Sequence, residues 1–327
     1  MHAESNRTDA EWLDEIHRLR RERQAVILAH NYQPGEIQDL ADFTGDSLEL
    51  SRKAAACPAP VIVFCGVYFM AETAAILSPD KTVLLPDPAA GCPMADMIDG
   101  PALRAWKALH PRAHVVCYVN SSAEVKAESD ICCTSSNAER VVASIPGEIL
   151  FVPDRHLGGW VSKRLNRKLE LWNGFCPTHA RILPAYVRQI HAEHPEALVL
   201  SHPECREDVT ALADEVLSTG GMLRFAKASS AQAFIIATEI GLLHRLRLEN
   251  PGKRFFPATP NASCPNMKKI TLEKIARSLL TLAPRIEVPE PVASRARESI
   301  RRMFDPERTI QKNKPIDDKM EEKKHNQ

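Results

Sequence analysis

Short apolar runs closed by a polar residue recur three times along the chain, at Ala25-Val-Ile-Leu-Ala-His30, Ala113-His-Val-Val-Cys-Tyr118 and Ala197-Leu-Val-Leu-Ser-His202. Each is followed by a second apolar run without helical period, at Val61–Cys65, Glu148–Val152 and Ala233–Ala237, the pattern of strands buried on both faces. Third strands are predicted near Val83–Leu85, Leu169–Leu171 and Arg254–Phe256. Amphipathic helices are predicted from Pro101 to Leu109, Ala180 to Ala192 and Thr271 to Leu282. The pattern therefore reads strand, helix, strand, helix, strand, helix, three times over. It predicts an α/β fold of three similar three-layer domains with short parallel sheets, whose ligands gather at the carboxyl ends of the strands. The expected divisions are a lead helix in 1–24, repeats at 25–112, 113–196 and 197–302, and a charged, disordered tail at 303–327. Thr8-Asp-Ala-Glu11 is a capping-box pattern for the lead helix, and Trp12, Ile16 and Leu19 form its apolar stripe.

Two kinds of polar mark repeat with the strands. Ser47, Ser135 and Thr219 each stand 17 residues beyond the end of a first strand, and each precedes a helical pattern, at or near the N-cap. A single serine there is most simply a cap. Three at one offset from three strand ends point instead to converging helix N-termini that bind carboxylate or phosphate. The second mark is a Cys-Pro step at Cys92, Cys176 and Cys264, spaced by 84 and 88 residues. Cys57-Pro58 shows that the dipeptide alone means little, and the remaining cysteines read as small core residues. Three equivalent thiolates without closely paired cysteines argue against a closed zinc site. They favour a 4Fe–4S cluster held by three cysteines with one iron open as a Lewis acid.

Composition narrows the partners. The 42 basic residues balance the 42 acidic ones, so the chain has no electrostatic footprint for nucleic acid or an anionic membrane. No apolar stretch nears the roughly 20 residues of a membrane span, and Met1–Asp9 has no apolar signal-peptide core. With nine cysteines, an odd number, the expectation is a cytoplasmic protein using thiols and metal ligands.

From about Gln24 to Leu280 the chain resembles the quinolinate synthases, iron–sulfur enzymes of pyridine nucleotide biosynthesis. The resemblance is carried in order by blocks such as His30-Asn-Tyr-Gln33, Gly45-Asp-Ser-Leu48, Ala90-Gly-Cys-Pro-Met-Ala-Asp96, Tyr118-Val-Asn120, Cys176-Pro-Thr-His179, His202-Pro-Glu-Cys205, Ala237-Thr-Glu-Ile-Gly241 and Cys264-Pro-Asn-Met-Lys268. Some members carry a CxxCxxC-type third segment, where this chain has Cys264 alone. The resemblance implies three α/β domains around a pseudo-threefold axis with the cluster at its centre. It also implies condensation of iminoaspartate with dihydroxyacetone phosphate, with loss of phosphate and two waters, and a functional partner that supplies iminoaspartate, either L-aspartate oxidase or aspartate dehydrogenase. By motif, His30, Ser47, Tyr118, Val119, Asn120, Ser135, His202, Pro203, Glu204 and Thr219 would hold substrate, with Tyr32, His202 and Glu204 as acid/base candidates. His179 stands evenly between orienting its loop and touching substrate. Two other functions stay open: a related iron–sulfur hydro-lyase on another small acid, and a non-catalytic electron-transfer or sensing protein.

Overall fold

The structure, a computed structural model, describes residues 7–306. It contains three four-stranded parallel sheets of identical strand order. The first is β2-β1-β3-β4, from β1 (Ala25–His30), β2 (Phe43–Gly45), β3 (Val61–Cys65) and β4 (Thr82–Leu84). The second is β6-β5-β7-β8, from β5 (His114–Tyr118), β6 (Ile131–Cys133), β7 (Ile149–Val152) and β8 (Glu170–Leu171). The third is β10-β9-β11-β12, from β9 (Leu198–Ser201), β10 (Glu215–Val216), β11 (Ala233–Ala237) and β12 (Arg254–Pro257). Central strands are the apolar ones: every residue of β3, β7 and β11 is buried, and each such aliphatic side chain contributes roughly 1.5–3 kcal/mol.

The apolar pattern predicts three strands per repeat, and the structure has four. The additional strands β2, β6 and β10 are only two or three residues long, too short for periodicity to register. Each is set in place by an aspartate just before it. Asp42 Oδ2 accepts from Ile27 N–H at 2.8 Å while its own N–H donates to Ile27 O at 2.9 Å. Asp130 makes the same pair of bonds with Val115, and Asp214 with Val199. The edge strand is thereby pinned beside the first strand of its sheet, and its far end delivers Ser47, Ser135 or Thr219 to the sheet's carboxyl edge.

The lead helix spans Asp9–Glu22, its capping box is formed by Thr8 and Glu11, and Trp12, Ile16 and Leu19 are buried. It packs on the helix Leu272–Thr281, so the two ends of the repeat array meet. The helix expected from Ala180 to Ala192 is broken into Pro177–Ala180 and Pro184–Glu193. Pro184 cannot donate and forces Leu183 into an extended conformation (φ −107°, ψ 148°), which ends the first piece. The final helix Glu290–Arg302 packs on Ala123–Ala127 and β6, and Met303 beyond it is buried. Of the tail expected at 303–327, residues 307–327 lie outside the described residues. Among the described residues no helix is long and apolar enough to cross a membrane.

Candidate functional site

The carboxyl ends of all three sheets open onto one cavity of about 170 Å³. Its wall is built from equivalent positions. The ends of β1 and β5, and the residue just past β9, supply His30, Tyr118 and His202; two residues further on come Tyr32, Asn120 and Glu204. The loops after the edge strands supply Ser47, Ser135 and Thr219, and those after β4, β8 and β12 supply Cys92, Cys176 and Cys264. Val119 and Pro203 are buried but do not line the cavity; the Val119 N–H instead extends the sheet by donating to Cys133 O at 2.9 Å.

The three hydroxyls lie near the helix N-caps, one or two residues from them, and not at them. The cap of helix Ser47–Ala56 is Asp46, whose Oδ1 accepts from the N–H groups of Leu48 and Glu49 at 3.0 Å. The cap of helix Thr219–Ala228 is Ser218, and Ser135 lies two residues before Asn137 at the head of helix Ala138–Ser144. Asp46 and Ser218 do the capping for two of the helices, and Asn137 makes no side-chain cap, its Oδ1 accepting from Thr134 N–H; all three hydroxyls line the cavity. The Ser135 Oγ lies 3.2 Å from His202 Nε2, and Thr219 Oγ1 accepts from Asn31 Nδ2 at 2.9 Å. Behind them, Ser136 Oγ donates to Asp46 Oδ2 and lies 3.0 Å from Ser218 Oγ, so one residue from each sheet ties this end of the cavity together.

His30 and His202 are held alike. In each, ring Nδ1 receives the backbone N–H two residues on, Tyr32 N at 3.2 Å and Glu204 N at 3.3 Å. Burial lowers His30 to about 4 and His202 to about 3, so both rings are neutral at pH 7. With Nδ1 accepting, the ring proton sits on Nε2, which in His202 faces Ser135.

Past these histidines a connected chain runs across the cavity. Tyr32 Oη lies 2.6 Å from Thr238 Oγ1, which lies 2.8 Å from His179 Nε2; His179 Nδ1 in turn faces Glu204 Oε2 at 2.9 Å and Cys176 Sγ at 3.2 Å. A consistent assignment has Tyr32 donating to Thr238, Thr238 to His179 Nε2, and His179 Nδ1–H to the Glu204 carboxylate. Burial would raise the Glu204 carboxyl, but hydrogen bonds from His179 and Tyr118 outweigh it and hold it well below the usual carboxylate range. The two phenols move the opposite way: burial and the Glu204 charge push Tyr32 and Tyr118 well up, so both keep their protons. Asn120 Nδ2 donates to Glu204 Oε1 at 3.2 Å, while Asn120 Oδ1 is buried without a partner among the described residues.

Thr238 and Glu239 had no role in the sequence reading, although the block Ala237-Thr-Glu-Ile-Gly241 was visible. Glu239 is fully buried and fixes the third cysteine loop: Oε1 accepts from Cys264 N–H at 3.0 Å and from Lys268 Nζ at 2.9 Å. The three cavity cysteines are half-buried thiols, and all nine cysteines of the chain are free. Burial pushes Cys92 up to about 12 and Cys176 well up, so without a metal these would be inert thiols. Three sulfur donors, one from each sheet, facing one cavity suit an iron–sulfur centre. A smaller donor group, Cys176, His179 and Glu204, has ligand atoms within 4.8 Å of one another.

A family profile described as quinolinate synthetase A protein matches residues 14–305. A quinolinate synthase of Dehalococcoides mccartyi is 57% identical over 290 residues, covering 88% of this chain and 96% of the relative. Those of Geobacter metallireducens and Methanoregula boonei are each 55% identical, over 89% of this chain and 96% and 97% of their own lengths. With near-full coverage on both sides and a profile that spans the whole cavity, the chain belongs to the quinolinate synthase family.

Proposed function

We propose that this enzyme condenses iminoaspartate with dihydroxyacetone phosphate to quinolinate, releasing phosphate and two waters, on one 4Fe–4S cluster held by Cys92, Cys176 and Cys264. The observation that supports this most is the threefold convergence of one cysteine and one uncapped hydroxyl from each sheet on a single cavity. When bound, the cluster supplies a Lewis-acidic iron for carbon–oxygen cleavage. The chain's own residues do the rest. Ser47, Ser135 and Thr219, at helix N-termini, hold the anionic groups of the substrates, with His30, Tyr118, Asn120 and the neutral His202 as further hydrogen-bonding groups. Val119 and Pro203 act through the backbone, setting the residues on either side. Tyr32 takes a proton from substrate as its own passes through Thr238 to His179 Nε2, the imidazolium being held by Glu204, and the reverse transfer returns the proton. Glu204, an ionised carboxylate, keeps His179 in the tautomer that accepts at Nε2, as the aspartate of a hydrolase triad does. His202 presents Nε2–H and acts as a donor to developing negative charge. The free thiols fit a cytoplasmic setting, and the unstable imine calls for a nearby enzyme that makes it, L-aspartate oxidase or aspartate dehydrogenase.

The test is to purify the protein without oxygen, count iron, and assay quinolinate from the two substrates. About four irons per chain and quinolinate formation are expected. Stoichiometric zinc in a colourless protein, or one metal ion per chain lost on changing His179, would favour a single ion at Cys176, His179 and Glu204 instead.

A further inference from the structure

The wall of the cavity is acidic for a chamber that admits anions. It contains the carboxyl groups of Asp46, Glu204 and Glu239, of which Glu239 is ion-paired with Lys268, a residue that does not line the cavity; Arg181 is the one arginine or lysine in the lining. Arg181 directly follows the short helix Pro177–Ala180 that begins at Cys176, and its N–H closes that turn on Thr178 O at 3.3 Å. Its side chain is exposed, and it lines both the central cavity and a shallow surface depression formed with Leu183, Tyr186 and Asn261. It therefore stands where the cavity meets the surface. Its guanidinium has no hydrogen-bond or ion-pair partner among the described residues. Some exposed arginines are tied up, such as Arg206 by Asp208 and Arg254 by Glu196; others, such as Arg112, Arg140 and Arg188, are also unpaired among the described residues, but Arg181 is the one that lines the cavity.

An unpaired guanidinium at the mouth of an acidic chamber offers planar, forked donors to phosphate or carboxylate oxygens and offsets the repulsion a dianion meets on entry. We propose that Arg181 is the entry residue of this enzyme, which captures the phosphate or carboxylate of an incoming substrate and hands it to the hydroxyls inside. The proposal rests on the function given above, and it assigns Arg181 to substrate capture rather than to the chemical steps. Its signature is a KM effect that depends on ionic strength.

The experiment compares wild type, Arg181→Gln and Arg181→Lys as anaerobic holoenzymes. KM for each substrate is measured at low and high salt, and inorganic phosphate is titrated calorimetrically into each protein. For Arg181→Gln, KM should rise about tenfold at low salt with kcat unchanged, and the salt dependence of kcat/KM should flatten. Phosphate binding should weaken in parallel, and Arg181→Lys, which restores the charge but not the fork, should recover part of both. The arm whose KM moves tells which oxyanion is captured. Unchanged KM and phosphate affinity in Arg181→Gln, or Arg181→Lys no better than Arg181→Gln, would overturn the proposal. A wild type that makes no quinolinate would instead overturn the function, while the phosphate titration would still read Arg181 by itself.

Discussion

The ends of the first and third sheets carry the same device and put it to opposite use. In both, a histidine at the strand end takes the backbone N–H two residues on, and burial keeps its ring neutral. The side chain two residues on then points into the cavity, but in one case it is Tyr32, pushed up and protonated, and in the other Glu204, pushed down and ionised. The second sheet completes the set with Asn120, which cannot titrate and donates to Glu204. One backbone geometry, repeated, thus presents a proton donor, a neutral amide and a carboxylate to the same space. Environments that drive two titratable groups apart are what separates acid from base roles. Here His179 joins the two extremes, with Thr238 on its Nε2 side and Glu204 on its Nδ1 side.

The largest effect is expected from removing the proposed cluster. Cys92→Ser, Cys176→Ser and Cys264→Ser should each abolish the visible cluster absorption and turnover, whereas Cys57→Ser should keep both. Next come the two ends themselves. Glu204→Gln should lower kcat by about 10⁴, because His179 loses its tautomer-setting partner, and Tyr32→Phe by about 10²–10⁴, both with iron content intact. Smaller still is the hydroxyl end. Ser47→Ala, Ser135→Ala and Thr219→Ala should each weaken quinolinate binding by about 1–3 kcal/mol with little change in Tm, since Asp46 and Ser218 do the capping. Variants that melt earlier but bind normally would return these residues to a structural role.

A separate effect, on stability and not on turnover, is its dependence on pH. His30 and His202 have folded values below the unfolded 6.5, so the folded state binds fewer protons than the unfolded state as pH falls. Their contribution is complete above about 6.5 and is lost toward about 4 and 3, at up to about 1.4 kcal/mol per pH unit for each ring. Glu204 adds loss in the same direction, as pH falls below 4.5. Denaturant midpoints should therefore fall between pH 6.5 and 5, and His202→Gln should flatten that fall.

Much of this was legible in the chain because it is repeated. The strand-end residues His30, Tyr118 and His202, the hydroxyls 17 residues on and the Cys-Pro steps 62, 58 and 62 residues on recur in one order, and all three sets reach the cavity. What escaped is of two kinds. The edge strands are too short for an apolar period, whereas their pinning residues Asp42, Asp130 and Asp214 do repeat, each 12 residues beyond His30, Tyr118 or His202, but nothing in a loop aspartate foretells its bonds to Ile27, Val115 and Val199. The sequence places the hydroxyls at or near the caps without telling which residue caps, since Asp46-Ser47 and Ser218-Thr219 each offer two candidate acceptors. Thr238 joins Tyr32 to His179 only through long-range contact, across separations of 206 and 59 residues.

That junction at His179 is tested most directly by the kinetics of Tyr32→Phe, Glu204→Gln and the double variant, with cluster spectra confirming equal iron loading. If both side chains act through one hydrogen-bonded chain, the double variant should be about as slow as the slower single one, because breaking either end already disables the unit. Fully additive losses, or turnover retained in both single variants, would contradict a shared chain through His179.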